Sequence, residues 1–174
     1  DVDHVIIPEP LNKDRVCLGH RGVWWAEVET FGRIAHGSMP FLGDCAARHM
    51  GAVLAEMEAT LFPALAARRT AMPVAPPAAR ASTLNINSLH GGQAEPEPGF
   101  TGWPSPVVPD RCRMVIDRRF LVEEDLAEVK AEFRAMLDRA TRRRPFDYVL
   151  RDMHEVRPTM TDRAAPVVVA VSRA

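Results

Sequence analysis

Val23-Trp24-Trp25-Ala26-Glu27-Val28-Glu29-Thr30-Phe31, followed by Gly32-Arg33-Ile34-Ala35-His36-Gly37-Ser38-Met39-Pro40, decides how this chain is read. The first half alternates. Trp24, Ala26 and Val28 point one way, Trp25, Glu27 and Glu29 the other, the signature of a strand with one face in the core and one in water. Gly32 ends it. The second half puts a histidine beside small residues in a turn, where a rigid element can present it to a ligand, although a lone histidine in a turn is also an ordinary surface feature.

Downstream, Asp44 is placed to cap a helix whose apolar residues, Ala47, Met50, Val53, Leu54, Met57 and Leu61, share one face, with Pro63 bending or interrupting its end. Residues 70–81 (TAMPVAPPAARA) read as an extended connector. Thr83 to Leu89 alternates with Leu84 and Ile86 inward, and Gly91-Gly92 stops it before a Pro- and Gly-rich loop. Arg111 to Phe120 is a strand with Cys112, Met114 and Ile116 on one face. Glu123, Glu124 and Asp125 place negative charge on the first turn of a second helix, with Leu126, Val129, Phe133, Met136, Leu137 and Ala140 inward. Arg142, Arg143 and Arg144 read as its solvated end, Pro145 stops it, and Phe146 to Val156 is a fourth strand. The order strand, helix, strand, strand, helix, strand predicts an α+β ferredoxin-like two-layer sandwich over 22–157, a four-stranded antiparallel sheet with two helices on one face.

Working outward to the ends, Val5-Ile6-Ile7 and Arg15 to Leu18 are short strand candidates, and the flanks 1–21 and 158–174 do not fit inside that sandwich. The chain starts at Asp1 and stops soon after the apolar run Pro166 to Val171, so it reads as cut from something longer. Its 174 residues bury a core of ordinary size. With 22 basic and 23 acidic residues, net charge −1, nothing points to nucleic acid or an anionic membrane. No stretch approaches the length of a transmembrane helix. Cys17, Cys45 and Cys112 are widely spaced without a CxxC, and read as buried apolar fillers in a reducing compartment, hence a cytoplasmic protein. The chain lacks a nucleophile elbow, an HExxH, a phosphate loop and histidines at metal spacing, so a self-contained catalytic site is not legible.

Four separated pieces, in order, resemble the central part of the zinc-dependent aminoacylase and exopeptidase family that includes acetylornithine deacetylase, succinyl-diaminopimelate desuccinylase and glutamate carboxypeptidase. They are Val5-Ile6-Ile7-Pro8-Glu9-Pro10; Gly32 to Pro40 with Leu42-Gly43; Ile86-Asn87-Ser88-Leu89-His90-Gly91-Gly92; and Val108-Pro109-Asp110-Arg111-Cys112 running to Asp117-Arg118-Arg119. The resemblance implies the dimerisation (lid) domain, 22–157, inserted into a two-zinc catalytic domain of which 1–21 and 158–174 are stubs. It implies a homodimer in which His36 reaches the partner's active site and helps hold the oxyanion of an N-acyl amino acid or small peptide substrate. By the same resemblance Arg119 binds the substrate carboxylate, the alternative being a sheet-face arginine paired with Asp117; Gly91 and Gly92 form a turn near the substrate, and Glu9 is a terminal zinc ligand orphaned from the rest of its site. The zinc ions would activate a bridging water in the catalytic domain of the complete chain, leaving this piece inactive by itself. Three positions depart from the pattern: Pro106 stands at the family's asparagine, Pro8 at a glycine and Leu11 at a threonine. The alternative from another class is a free-standing ferredoxin-like binding or regulatory module without catalysis.

Overall fold

The computed structural model describes residues 4–7, 16–74, 76–92, 99 and 106–173. In chain order the elements are β1 (Gly19–His20), β2 (Gly22–Phe31), β3 (Ala35–His36), α1 (Ala46–Glu56), α2 (Phe62–Ala67), β4 (Thr83–Gly91), β5 (Val107–Val108), β6 (Arg111–Phe120), α3 (Leu126–Arg143), β7 (Tyr148–Val156), β8 (Thr159–Met160) and α4 (Pro166–Val171). Four of the strands form one antiparallel sheet in the order β4-β6-β2-β7. The helices cover one face of it, the α+β two-layer arrangement expected from the element order.

The alternation in β2 does what it predicts on the covered face. Trp24, Ala26 and Val28 are fully buried with Met114 and Ile116 of β6, and the Trp24 ring meets Phe133 of α3 edge-on at 5.5 Å. The other face is less wet than expected. Glu29 is buried there, because long arginine side chains from the neighbouring strands lie over it. Arg113 Nε reaches its carboxylate at 3.0 Å, Arg111 Nη1 at 3.2 Å and Arg151 Nη1 at 2.8 Å.

The first helix departs from its reading in two ways. Cys45 is the cap residue, and the Asp44 carboxylate instead lies 2.9 Å from Nε2 of His49. The buried face is Ala46, His49, Met50, Val53 and Glu56, so Ala47 is exposed. The interruption expected near Pro63 is there: a π turn, Met57–Leu61, absorbs the missing N–H and the ring, and α2 carries on with Pro63 in its first turn. The resulting run Ala46–Ala67, 22 residues, is long and apolar enough to cross a membrane, contrary to the reading that no stretch approaches that length. Here Met50, Val53, Met57, Leu61 and Leu65 pack it on the sheet, and Arg139 and Arg143 of α3 ion-pair with Glu56.

Other corrections concern charges and ends. Asp125 alone caps α3. Its side chain accepts from the N–H groups of Ala127 at 2.8 Å and Glu128 at 3.3 Å. Glu124 turns inward, where its carboxylate binds buried Arg118 at 2.7 Å, Arg68 at 2.8 Å and the Leu121 N–H at 2.7 Å. The arginines after α3 are not simply solvated: Arg144 Nε donates to His49 Nδ1 at 3.0 Å and Arg143 reaches Glu56. The last strand begins at Tyr148 rather than Phe146, the connector 70–81 contains a 3-10 turn at Pro77–Arg80, and Cys17, on the flank outside the core, is exposed. Of the two early strand candidates, residues 5–7 form no strand, and the second falls at Gly19–His20, pairing with β8 where glycine lets the backbones touch. The two flanks thereby lie against each other.

Two stability predictions follow from this packing. A Cβ at Gly32 would sit 2.1 Å from the Asp44 carbonyl oxygen. Gly32→Ala is therefore expected to cost about 1–3 kcal/mol in urea unfolding. Burial pushes the Glu124 carboxyl up, but hydrogen bonds from Ser82, Leu121 and Arg68 and the charge of Arg118 outweigh it and hold the group below the usual glutamate range. Its contribution is therefore complete above the unfolded glutamate pKa and lost as pH falls through the lower folded value. Glu124→Gln is expected to cost about 3–5 kcal/mol near neutrality and to flatten the acid limb of the stability profile.

Candidate functional site

The segment after β2 leaves the sheet under tight backbone control. The Gly32 N–H donates to the Asp110 carbonyl at 2.8 Å, and Arg33 and Asp44 exchange both backbone hydrogen bonds at 2.8 Å each, closing a loop between them. Inside the loop, β3 pairs with β5, Ala35 opposite Val108 and His36 opposite Val107. The Gly37 N–H donates to the Pro106 carbonyl at 2.6 Å, Met39 to His36 at 2.8 Å, Leu42 to Met39 at 3.0 Å and Gly43 to Pro40 at 3.1 Å. Arg33 Nε ties the far side down on the Leu42 carbonyl at 3.0 Å. Few backbone donors are left to water, so this surface loop is a rigid platform.

His36 sits exposed at the hairpin corner. Its Nδ1 accepts from the Ser38 N–H at 3.2 Å and lies 2.7 Å from the Ser38 hydroxyl. Around it the loop turns apolar side chains outward: Ile34, Phe41 and Leu42 are 59%, 77% and 55% exposed. Pro106 is beside Gly37 on this platform.

Gly91 and Gly92 lie at the same end of the sheet. Gly91 opposes Cys112, whose sulfur would be 2.7 Å from a Cβ at that position. Gly92 turns the chain with φ +96°, which glycine adopts without strain. Arg119 does not join them. It is near the far end of β6 on the open sheet face, its Nε and Nη2 on the two Asp117 oxygens at 2.6 and 2.8 Å. Arg111 and Arg119 both belong to β6. At the rise of an extended chain the distance between them is about 26 Å.

Arg21 was missed by the sequence reading. Its Nη1 donates to the Ala81 carbonyl and to the Thr83 hydroxyl, both at 3.0 Å, and Thr83 is the cross-strand partner of Arg119. Burial and then the Arg119 charge lower its pKa, so two guanidinium groups share one corner with the single carboxylate of Asp117. The available signal was parity: residue 21 falls on the same face as Val23 and Trp25.

Glu9 lies outside the described residues. Among the described residues no three His, Cys, Asp or Glu side chains gather in a way that could hold a metal ion. The described residues alone therefore supply no zinc donor set.

The family model for the M20 peptidase dimerisation domain matches residues 18–145. The chain belongs to that family. No curated protein sequence matches it. Among solved structures, human carnosine dipeptidase 1 superposes with a TM-score of 0.63 at 15% identity, over 90% of this chain and 41% of that one. Aminopeptidase PepT from Bacillus cereus gives 0.59 at 15% identity, over 90% and 35%. A hydantoinase/carbamoylase-family amidase from Burkholderia vietnamiensis gives 0.58 at 20% identity, over 90% and 32%. At these identities the likeness is one of fold. The dimerisation domain described here spans well under half the length of each of these chains.

Proposed function

We propose that this chain is the dimerisation (lid) domain of a two-zinc metallohydrolase that cleaves the amide bond of N-acyl amino acids or small peptides. In this reading His36 donates a hydrogen bond to the substrate oxyanion in the partner's active site, and Arg119 of the substrate's own chain holds its carboxylate. One observation carries the reading: a histidine on a hydrogen-bonded platform, exposed within an apolar surround, whose side chain bonds only Ser38 among the described residues. Arg119, about 26 Å along the sheet from the His36 end, supports it, because one small substrate touching both residues needs two chains. A planar guanidinium suits a carboxylate, for which Arg119 exchanges its present partner Asp117, and a fixed N–H donor suits a developing oxyanion.

The surface that joins two copies is the outer face of α1 beside the β4 edge. Ala47, Gly51 and Ala55 recur every fourth residue, and space beyond Gly51 is open. Ala47 lies against Gly91, so the stripe runs into the sheet edge. Small side chains let a second helix approach closely, and the pair would be a self-complementary two-fold contact.

Sedimentation across a concentration series is expected to give twice the chain mass, and Gly51→Arg to give the monomer with unchanged circular dichroism; a wild-type monomer at every concentration would sink the two-fold contact as a property of this domain. In the complete hydrolase, His36→Ala is expected to lower kcat by about 10²–10³-fold, the loss of one oxyanion donor, without dissociating the dimer. This piece alone is expected to hydrolyse nothing.

A further inference from the structure

We propose that Ser38 is a positioning residue for His36, its amide and hydroxyl holding the imidazole in the tautomer that carries the proton on Nε2. The inference rests on the reading of His36 as an oxyanion donor and adds how that donor is kept ready.

The Ser38 amide lies 3.2 Å from Nδ1. A backbone N–H only donates, so it meets a lone pair there and not a second hydrogen. The Ser38 hydroxyl lies 2.7 Å from the same nitrogen. It then also donates, since an unprotonated Nδ1 offers it nothing else. With two donors on Nδ1, the proton of a neutral ring resides on Nε2. The amide is itself fixed, because the neighbouring Gly37 N–H is held by the Pro106 carbonyl at 2.6 Å and the Met39 N–H by the His36 carbonyl at 2.8 Å. The ring thus has its inner nitrogen occupied by its own turn and its outer nitrogen presented as a donor. In this state His36 gives a hydrogen bond at Nε2 and has no lone pair there with which to take a proton. The same contacts oppose rotation of the ring about its bond to Cβ, so both the orientation and the chemical sense of the outer nitrogen are set before a ligand arrives.

Nitrogen-15 NMR of this chain, at a pH where the ring is neutral, reads the tautomer directly. The wild type is expected to show His36 with a protonated Nε2 and an unprotonated, hydrogen-bonded Nδ1. Ser38→Ala is expected to move the two nitrogen shifts toward each other as the ring begins to exchange, and Ser38→Thr, which keeps the hydroxyl, to restore the wild-type pattern. A proton on Nδ1 in the wild type, or a Ser38→Ala spectrum identical to wild type, would overturn the proposal. In the complete hydrolase, Ser38→Ala is expected to lower kcat about tenfold with KM unchanged, as misplacement of a donor does, and Ser38→Thr to restore it. A tautomer that shifts while hydrolysis stays unchanged would leave the Ser38 contact standing and overturn the donor role of His36 instead.

Discussion

The backbone contact at Gly32 is the constraint on which the rest depends. There the end of the central strand, the turn into β6 and the start of α1 meet within hydrogen-bonding distance: Gly32 on Asp110, Arg33 on Asp44, and Ala46 on Pro109 at 2.9 Å. A side chain at residue 32 would enter the Asp44 carbonyl, so only glycine lets the three segments close. The closure does two things at once. It seats α1 on the sheet, and it pinches 33–44 into a loop with both ends fixed, which is why an exposed histidine there has a defined position.

Buried polar groups then fasten the joint from behind. His49 has its Nε2 by Asp44, accepts from Arg144 on Nδ1 and stacks on Phe146 with ring centroids 5.0 Å apart. One imidazole thus links the loop's exit, α1 and the end of α3. Arg118 and Glu124 do the equivalent at the opposite end, tying β6 to the entry of α3 and, through Arg68, to the exit of α2. Each is a charge or imidazole taken out of water and given partners. Such groups add less net stability than their contacts suggest, but they penalise any register other than the native one.

This is also where sequence reading reached its limit. The strands and helices were legible because their signal is local: period two from Val23 to Phe31 and from Arg111 to Phe120, and a three-to-four spacing from Leu126 to Ala140. The polar residues that entered the core were not, since hydropathy places Glu29, Glu56 and Arg118 at the surface and their partners lie far along the chain. Glu29 is held by residues 111, 113 and 151, and nothing within β2 announces them. Pro63 was legible as an interruption, but the form it takes was not. Its local rule is to stop a helix, and the π turn that absorbs it stays because the residues on either side, Met57, Leu61 and Leu65, are held down by the sheet. At the candidate site, the turn around His36 was legible as a place, but the Ser38 contact and the neighbourhood of Arg21 are matters of geometry that spacing does not encode.

The distribution of satisfied and unsatisfied surface bears on what such a domain is for. Toward its own core the chain answers its charges: Glu29, Glu56 and Glu124 all have arginine partners. Toward the outside it gathers Ile34, Met39, Phe41 and Leu42 on the loop carrying His36, and a stripe of small residues on the outer face of α1 reaches Gly91 at the end of β4. Scattered exposed leucines need no explanation, but apolar groups held rigidly around a hydrogen-bond donor are a surface built for contact. A loop that existed only to connect β2 to α1 would have no use for a platform of backbone hydrogen bonds beneath Ile34, Phe41 and Leu42. Rigidity there has value only if the groups it carries must arrive at a second surface already in place, because ordering them on contact would subtract from the binding that holds the two surfaces together.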